Sequence, residues 1–313
     1  MEGAILDESR AFAAAAAAAA RLDVSVSASD AAADLYFPAA MRREAMSIAA
    51  MEGFLVRPEY LAKSLGDRAQ SSQVRGSRLA AAVHDGLSAV CAWTDDGPSQ
   101  GEAVAFFSIC DAASGRLIRP DVQWSIEEDA QWLSDTLCSF AETADPWTAL
   151  ETVRVIWTSG RFFGASRRIA AVAAPWVLKR GFACANPLFG AGREFTRNPD
   201  GFRDNAHDKG EWGVILAASL SEAFAAELSC LADGLASRTA ILALCPPGRT
   251  SSSIEAAVAF AFRRPAFTAK DLCDGIGLTA RGGKVVLDKL VSSGVLSVEG
   301  GSRNRTYLCR RTM

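Results

Sequence analysis

Apolar positions recur at helical spacing along most of the chain, and few stretches read as strands. The run from Ala11 to Ala20 predicts a helix ending near Arg21, because alanine is the strongest helix former. The small, polar segment VSVSASD that follows reads as a linker. A second helix is expected to begin near Phe37–Pro38, with Met41, Ala45, Ile48, Met51 and Leu55 on one face. Gly53 weakens its end, and Pro58 suits the first turn of a third helix, PEYLAKSL. Another helix surrounds Leu79–Val90 and leads into the loop TDDGPSQG. EAVAFFSICD is the strand candidate; with the turn residues AASGR and the segment LIRPDVQW it predicts a short β-hairpin. From Ser125 onward the pattern is helical again: SIEEDAQWLSDTLCSFAET, PWTALETVRVIWTS, SRRIAAVAAPWVLKRG and a long stretch opening GEWGVILAASL. Pro175 is expected to kink the third of these. The segment CPPGRTSSS, Cys245 to Ser253, combines prolines, a glycine and a serine run and marks a domain boundary.

Past that boundary the elements shorten. SIEAAVAFAFRRP is one helix. TAKDLCDGIG is a second, with Thr268 as N-cap and Gly275 or Gly277 near its end. LTARGGKVVLDKLVSSG is a third, with Thr279 as N-cap. VLSVEG, a Gly-Gly-Ser turn and NRTYLCRR complete the order helix, helix, turn, helix, two-stranded wing, which is that of a winged helix-turn-helix. The charges fit double-stranded DNA as the partner. Thr279, Arg281, Lys284 and Lys289 lie on the third helix, where base edges are read. Arg303, Asn304 and Arg305 flank the wing tip, where phosphates or the minor groove are met, and Arg310 and Arg311 add to the far end. Asp271, Asp274, Asp288 and Glu299 oppose them. The competing reading is a winged helix used to dock a protein. Gly282 and Gly283 each cost about 1 kcal/mol of helix stability relative to alanine. Close approach to DNA or to the first helix is the expected return.

Composition narrows the field. Half of the 313 residues are apolar, enough core for about two domains. The net charge of −3 carries no basic bias, so any nucleic-acid contact has to come from a local patch. Eight cysteines without a C-x-x-C pair, beside only His84 and His207, argue against a zinc site and for thiols in a reducing cytosol. Glu2, Asp7 and Glu8 precede the alanine run where a secretory signal would carry Lys or Arg. No leucine-rich stretch looks long enough to span a bilayer, so a cytoplasmic chain without a membrane contact is expected.

The stretch TSGRFFGASRRIAAVAAPWVLKRGF, Thr158 to Phe182, opens with a Gly-, Ser- and Arg-rich turn and continues into an apolar helix, as phosphate-binding loops do. With its neighbours it carries a resemblance: from about Ala39 to Leu244 the chain resembles the Fic family, all-helical proteins that transfer AMP to protein hydroxyls. The family's motif HPFxDGNGRxxR precedes an apolar helix ending in Arg-Gly. Here SGRFFGASRRIA occupies the motif's slot and VAAPWVLKRGF supplies the helix. PWTALETVRVIW is similar to the helix that leads into the motif, and REFTRNPDGFRDNAHDKGEWGVIL to the segment downstream of it. EAMSIAAMEGFLVRPEYL is similar to the family's regulatory helix, EAxxSSxIEG. Many Fic proteins also end in a winged helix.

The resemblance implies roles position by position. The catalytic His falls on Ser159, the metal-binding acid on Phe163, the loop Asn on Ala165 and the next Gly on Ser166. Gly164 and Arg167 match. The second Arg falls on Ala170, with Arg168 near it as a substitute. Glu52 matches the inhibitory Glu, but Ile48 replaces the Ser before it, and Glu52 is expected to have lost its arginine partner. No catalytic residue, metal or cofactor is therefore expected. Gly164, Ser166, Arg167 and Arg168 remain as a vestigial anion site at a helix N-terminus. Arg167, Arg168 and Lys179 fit the solvated face of an amphipathic helix equally well. The expected architecture is mainly α: an Ala-rich helix and linker over residues 1–38, a Fic-like helical domain with a small β-hairpin over 39–245, and a winged helix-turn-helix over 254–313. The expected function is transcriptional regulation, as in the plasmid-associated, Fic-related helix-turn-helix proteins that the chain resembles. The helical domain would then serve as a homodimer contact or a sensor. Two alternatives stand beside it. One is a divergent nucleotidyl- or phospho-transferase using Arg167 with Ser159 or Glu52; the other is an antitoxin-like protein partner binding through the Fic-like domain.

Overall fold

The computed structural model describes residues 2–66, 75–112, 126–162, 165–243, 251–301 and 305–309. These form a mainly helical body followed by a smaller helix-and-strand unit. Helix α1, Glu2–Ser27, runs through most of the segment expected as a linker. Ala15, Ala19, Leu22 and Val26 recur every three or four residues and are buried, and the helix packs along α11, Lys209–Ala243. The chain breaks only at Ala28–Ser29. Ser29 accepts from the Ala32 amide at 3.1 Å and caps α2, Asp30–Met51, which starts well before Phe37 and carries Pro38 inside it. The Ser29–Asp30 start signal outweighs the proline. Gly53, at φ +86°, ends α2: its amide donates to Ala50 and that of Phe54 donates back to Ala49. Helix α3, Pro58–Gly66, begins on its proline as expected.

The body continues with α4 (Arg75–Cys91), α5 (Gln100–Ala112), α6 (Ile126–Glu142), α7 (Pro146–Thr158), α8 (Ser166–Gly181), α9 (Ala191–Arg197), α10 (Pro199–Asp204) and α11. The expected β-hairpin is corrected here: EAVAFFSICD lies in helix α5. Its start is a capping box, in which the Ser99 amide donates to Glu102 at 2.8 Å and Ser99 Oγ accepts from the Glu102 amide at 3.3 Å. Ala103, Phe106 and Phe107 are then buried on one helical face. The segment LIRPDVQW lies outside the described residues. Helix α8 is the axis of the body, with every residue from Ile169 to Leu178 buried, Pro175 among them. By length and composition α11 is the one helix among those described that could cross a bilayer, which corrects the earlier expectation. Yet it packs against α1, α2, α7 and α9, with Trp212, Leu216, Leu220 and Phe224 fully buried, as a core helix does.

The C-terminal unit comprises α12 (Ser251–Arg263), β1 (Ala266–Phe267), α13 (Ala269–Ile276), α14 (Ala280–Ser292), β2 (Ser297–Glu299) and β3 (Thr306–Leu308). The strands form an antiparallel sheet in the order β1-β3-β2, with Phe267 and Val298 both opposite Tyr307. Its core holds Ile254, Val258, Phe262, Phe267, Leu272, Val286, Leu287 and Leu290, joined by Leu35 from α2 and Ile241 from α11. Most of the expected boundary CPPGRTSSS lies outside the described residues. The unit is held to the body by polar contacts. Arg42 of α2 donates to the carbonyls of Phe262 and Arg263 at 3.2 and 3.1 Å, capping the end of α12. Lys63 of α3 meets Glu299 of β2 at 2.6 Å, and Arg264 donates to the carbonyl of Gly66.

Two further charges of α2 are drawn inward. Arg43 pairs with buried Glu227 of α11. Glu44 accepts from the amides of Gly190 and Gly192 at 3.1 and 2.7 Å, holding the start of α9. Burial pushes the Glu44 carboxyl up to about 7, although the Gly192 amide and Arg193 pull it the other way. An unfolded glutamate titrates near ~4.3. The fold therefore favours the protonated form; this contribution is full below pH ~4 and is lost as pH rises through about 7. Glu44→Gln removes that loss. Denaturant titrations at roughly pH 5 and pH 8 should show the wild type losing more stability than the variant, by no more than about 1.4 kcal/mol per pH unit. Equal losses in the two proteins contradict the assignment.

Candidate functional site

Two places carry the expected site residues: helix α14 with its neighbouring strands, and the turn between α7 and α8. Helix α14 begins at Thr279, whose side chain accepts from the Gly282 amide at 3.2 Å, so its hydroxyl oxygen serves as the N-cap. Thr268 caps α13 through a reciprocal box with Asp271, and Gly277, at φ +70°, closes it. Between the two helices the turn is therefore specified residue by residue.

Leu287, Val286 and Leu290 face the core of the unit. Arg281, Lys284, Val285, Asp288 and Lys289 are exposed and follow one another at helical spacing along the outer face. Among the described residues neither Arg281 nor Lys284 has an ion-pair partner. Of the four acids expected to oppose these cations, two are occupied elsewhere: Asp271 by Thr268 and by Arg264 at 3.5 Å, and Glu299 by Lys63. Arg305 is exposed at the start of β3. Arg303, Asn304, Arg310 and Arg311 lie outside the described residues.

Gly283 of α14 and Gly275 of α13 have a structural reason. A Cβ at Gly283 would lie 2.3 Å from Cys273 Sγ, and one at Gly275 would lie 2.3 Å from the Phe260 ring. Helices α12, α13 and α14 thus approach one another more closely than larger residues allow. The return for Gly283 is contact with the first helix of the pair, α13.

In the α7–α8 turn the expected residues divide. Asp145 and Thr148 form the capping box that starts α7, and Ser159 ends it. Ser159 Oγ lies 3.0 Å from the Ile156 carbonyl and 3.3 Å from Ser166 Oγ, so its neighbours are neutral hydrogen-bonding groups and supply no base. Arg161 sits 3.6 Å from Asp129 and 5.3 Å over the Trp132 ring. Phe162 is buried against Phe107 and Trp132. Phe163 and Gly164 lie outside the described residues. Arg167 points outward and stacks on Trp157 at 5.3 Å.

Arg168 goes the other way. Its side chain is 3% exposed and its Nη1 lies 3.5 Å from Glu52, which stands just beyond α2. Two expectations are corrected by this. Glu52 keeps an arginine partner, and Arg168 is no part of a solvated face. The proposed anion group is not gathered into one site among the described residues: Ser166 and Arg168 are buried, and Arg167 is engaged outside. Among the described residues there is also no group of three His, Cys, Asp or Glu side chains able to hold a metal ion.

The residues that sequence reasoning missed are the buried charges Arg42, Glu44 and Glu227, with half-buried Arg43 paired to the last of them. Comparison of the chain with protein-family models and with curated proteins gives no match.

The Glu52–Arg168 pair makes a direct prediction. Glu52→Ala leaves a cation inside the body without its carboxylate and should destabilise the protein by about 1–3 kcal/mol. Adding Arg168→Met, which keeps the apolar stem, should restore most of that loss in the same denaturant titration. A double variant no more stable than Glu52→Ala would show that the ion pair is not the cause.

Proposed function

We propose that this chain is a DNA-binding transcriptional regulator acting in the cytoplasm. In this reading the C-terminal unit is a winged helix-turn-helix, and the helical body is a Fic-like domain without transferase activity. The observation that carries the reading is the outer face of α14. Arg281 and Lys284 stand exposed on its first turns, exposed Arg305 immediately precedes β3, and two of the unit's four acids are occupied, Glu299 by Lys63 of the body and Asp271 by Arg264. A helix with free cations at its exposed N-terminal turns suits the major groove. On an acidic chain one such patch is modest, so tight binding calls for a homodimer and a two-fold site.

The two arginines have different expected effects. A helix arginine meeting a guanine in bidentate fashion contributes about 1–3 kcal/mol of discrimination. A wing arginine on a phosphate strengthens all sequences alike and adds about one to the salt slope. With a duplex selected from a random pool, Arg281→Ala should lose sequence preference, and Arg305→Ala should lose general affinity and flatten the salt dependence. Wild-type binding by both variants would move the unit to a protein-docking role.

The absence of transferase activity is tested separately. Ser159 supplies no general base, and such a base contributes roughly 10²–10⁴-fold to a transfer of this kind. Incubation with labelled ATP and magnesium should leave no label on protein above the level of Arg167→Ala. Label above that level would restore the enzymatic alternative.

A further inference from the structure

One apolar side chain stands among the charges on the outer face of α14. Val285 is 43% exposed, with Arg281 four residues before it, Lys284 beside it and Asp288 three residues after it. At about 100° per residue, Arg281, Val285 and Asp288 point within about 60° of one another. They face away from buried Val286, Leu287 and Leu290. A β-branched residue at such a position is a weaker helix former than alanine and gains little from packing.

We infer that Val285 is a specificity-determining residue that reads the C5-methyl group of a thymine close to the guanine that Arg281 meets. The inference rests on the DNA-binding reading above and names part of the sequence which that reading leaves open.

The charges beside Val285 argue for a duplex as the occupant of this face. Arg281 and Lys284 have no ion-pair partner among the described residues, and Asp288 is the single acid among the exposed residues of the face. The excess of positive charge suits a polyanion. Asp288 also says which part of the duplex lies opposite. A phosphate would repel its carboxylate, whereas the amino group of cytosine can donate to it. The centre of the face therefore belongs over base edges. In the major groove the edge of thymine carries a methyl group among the donors and acceptors of the other bases, and an apolar side chain matches that group.

Spacing and reach agree with this. Four helical residues advance about 6 Å, and base pairs stack about 3.4 Å apart. A helix lying along the groove carries Val285 about one to two base pairs beyond Arg281. Valine is short, so the backbone has to come close. Gly282, one turn before Val285, presents no side chain, and a Cβ built there meets only Thr279 Oγ1, at 3.3 Å. Gly283 serves the packing on Cys273; Gly282 leaves the first turn of α14 bare on the outer side. Val298, the other large apolar side chain that the unit leaves exposed among the described residues, lies on β2. A wing meets phosphates or the minor groove, where thymine shows no methyl group, so Val298 is not a competing reader.

The test uses the full chain and a duplex selected from a random pool. Each thymine of the bound site is replaced in turn by deoxyuridine, which removes the methyl group and nothing else. Burying one methyl group is worth about fourfold in affinity. Wild type should bind one of these duplexes about fourfold more weakly than the parent. The thymine concerned should lie within about two base pairs of the guanine whose preference Arg281→Ala abolishes. Val285→Ala should bind that duplex and the parent equally. It should unfold at the same or a higher temperature, because the position is exposed and alanine is the better helix former. Val298→Ala should keep the difference. Undiminished wild-type binding to every deoxyuridine duplex overturns the inference, and so does a difference that survives in Val285→Ala. Either failure leaves DNA binding itself standing. A selection that enriches no duplex over the starting pool overturns the DNA-binding reading, and the inference with it.

Discussion

Three successive charged side chains of α2 hold the architecture together. Arg42 reaches α12, Arg43 reaches α11 and Glu44 reaches the start of α9. Neighbours on a helix point about 100° apart, so one turn of α2 joins three elements lying in three directions. Arg42 and Glu44 are buried and Arg43 is half-buried against buried Glu227, and each of the three has hydrogen-bonding partners. Burial without such partners would be strongly unfavourable. The position of the C-terminal unit follows from this turn. Arg42 fixes the end of α12, and the other elements of the unit are built outward from that helix.

Much of this fold is legible in the sequence, but unevenly. Helices α7, α8, α13 and α14 follow from apolar spacing and from caps such as Thr268 and Thr279. Helix α5 was hidden by its dense apolar run, Ala103 to Phe107, which suits a buried strand as well as a helix; the deciding sign was Ser99 followed by Glu102. The true start of α2 was hidden by Pro38, which outranks a modest cap when the chain is read locally. For Arg43 and Glu44 there was no local sign. RRE reads as a solvated turn of helix, and the groups that bury these charges lie far along the chain, Glu227 for one and Gly190 and Gly192 for the other.

The site is a mixture of the same kind. That α14 would expose Arg281 and Lys284 was readable, because Val286, Leu287 and Leu290 define the opposite face. The partner of Glu52 was not. The resemblance placed the second arginine's position at Ala170, whereas the side chain beside Glu52 is that of Arg168. Two positions apart on a helix differ in direction by roughly 200°, so only the packing of α8 in the body decides which of them faces Glu52.

The Lys63–Glu299 contact has a consequence for how ionic strength acts on this protein. Both side chains are about 40% exposed, so the pair is weak and is screened as salt is added. The Arg42 cap on α12 is buried and is not screened in the same way. Raising salt therefore loosens one edge of the C-terminal unit while its root stays fixed. It also frees a carboxylate on β2, close to the surface that would approach a polyanion. A salt titration of any complex formed there contains an internal rearrangement as well as the release of counterions. The slope of such a titration, read naively, would overstate the number of phosphates in contact.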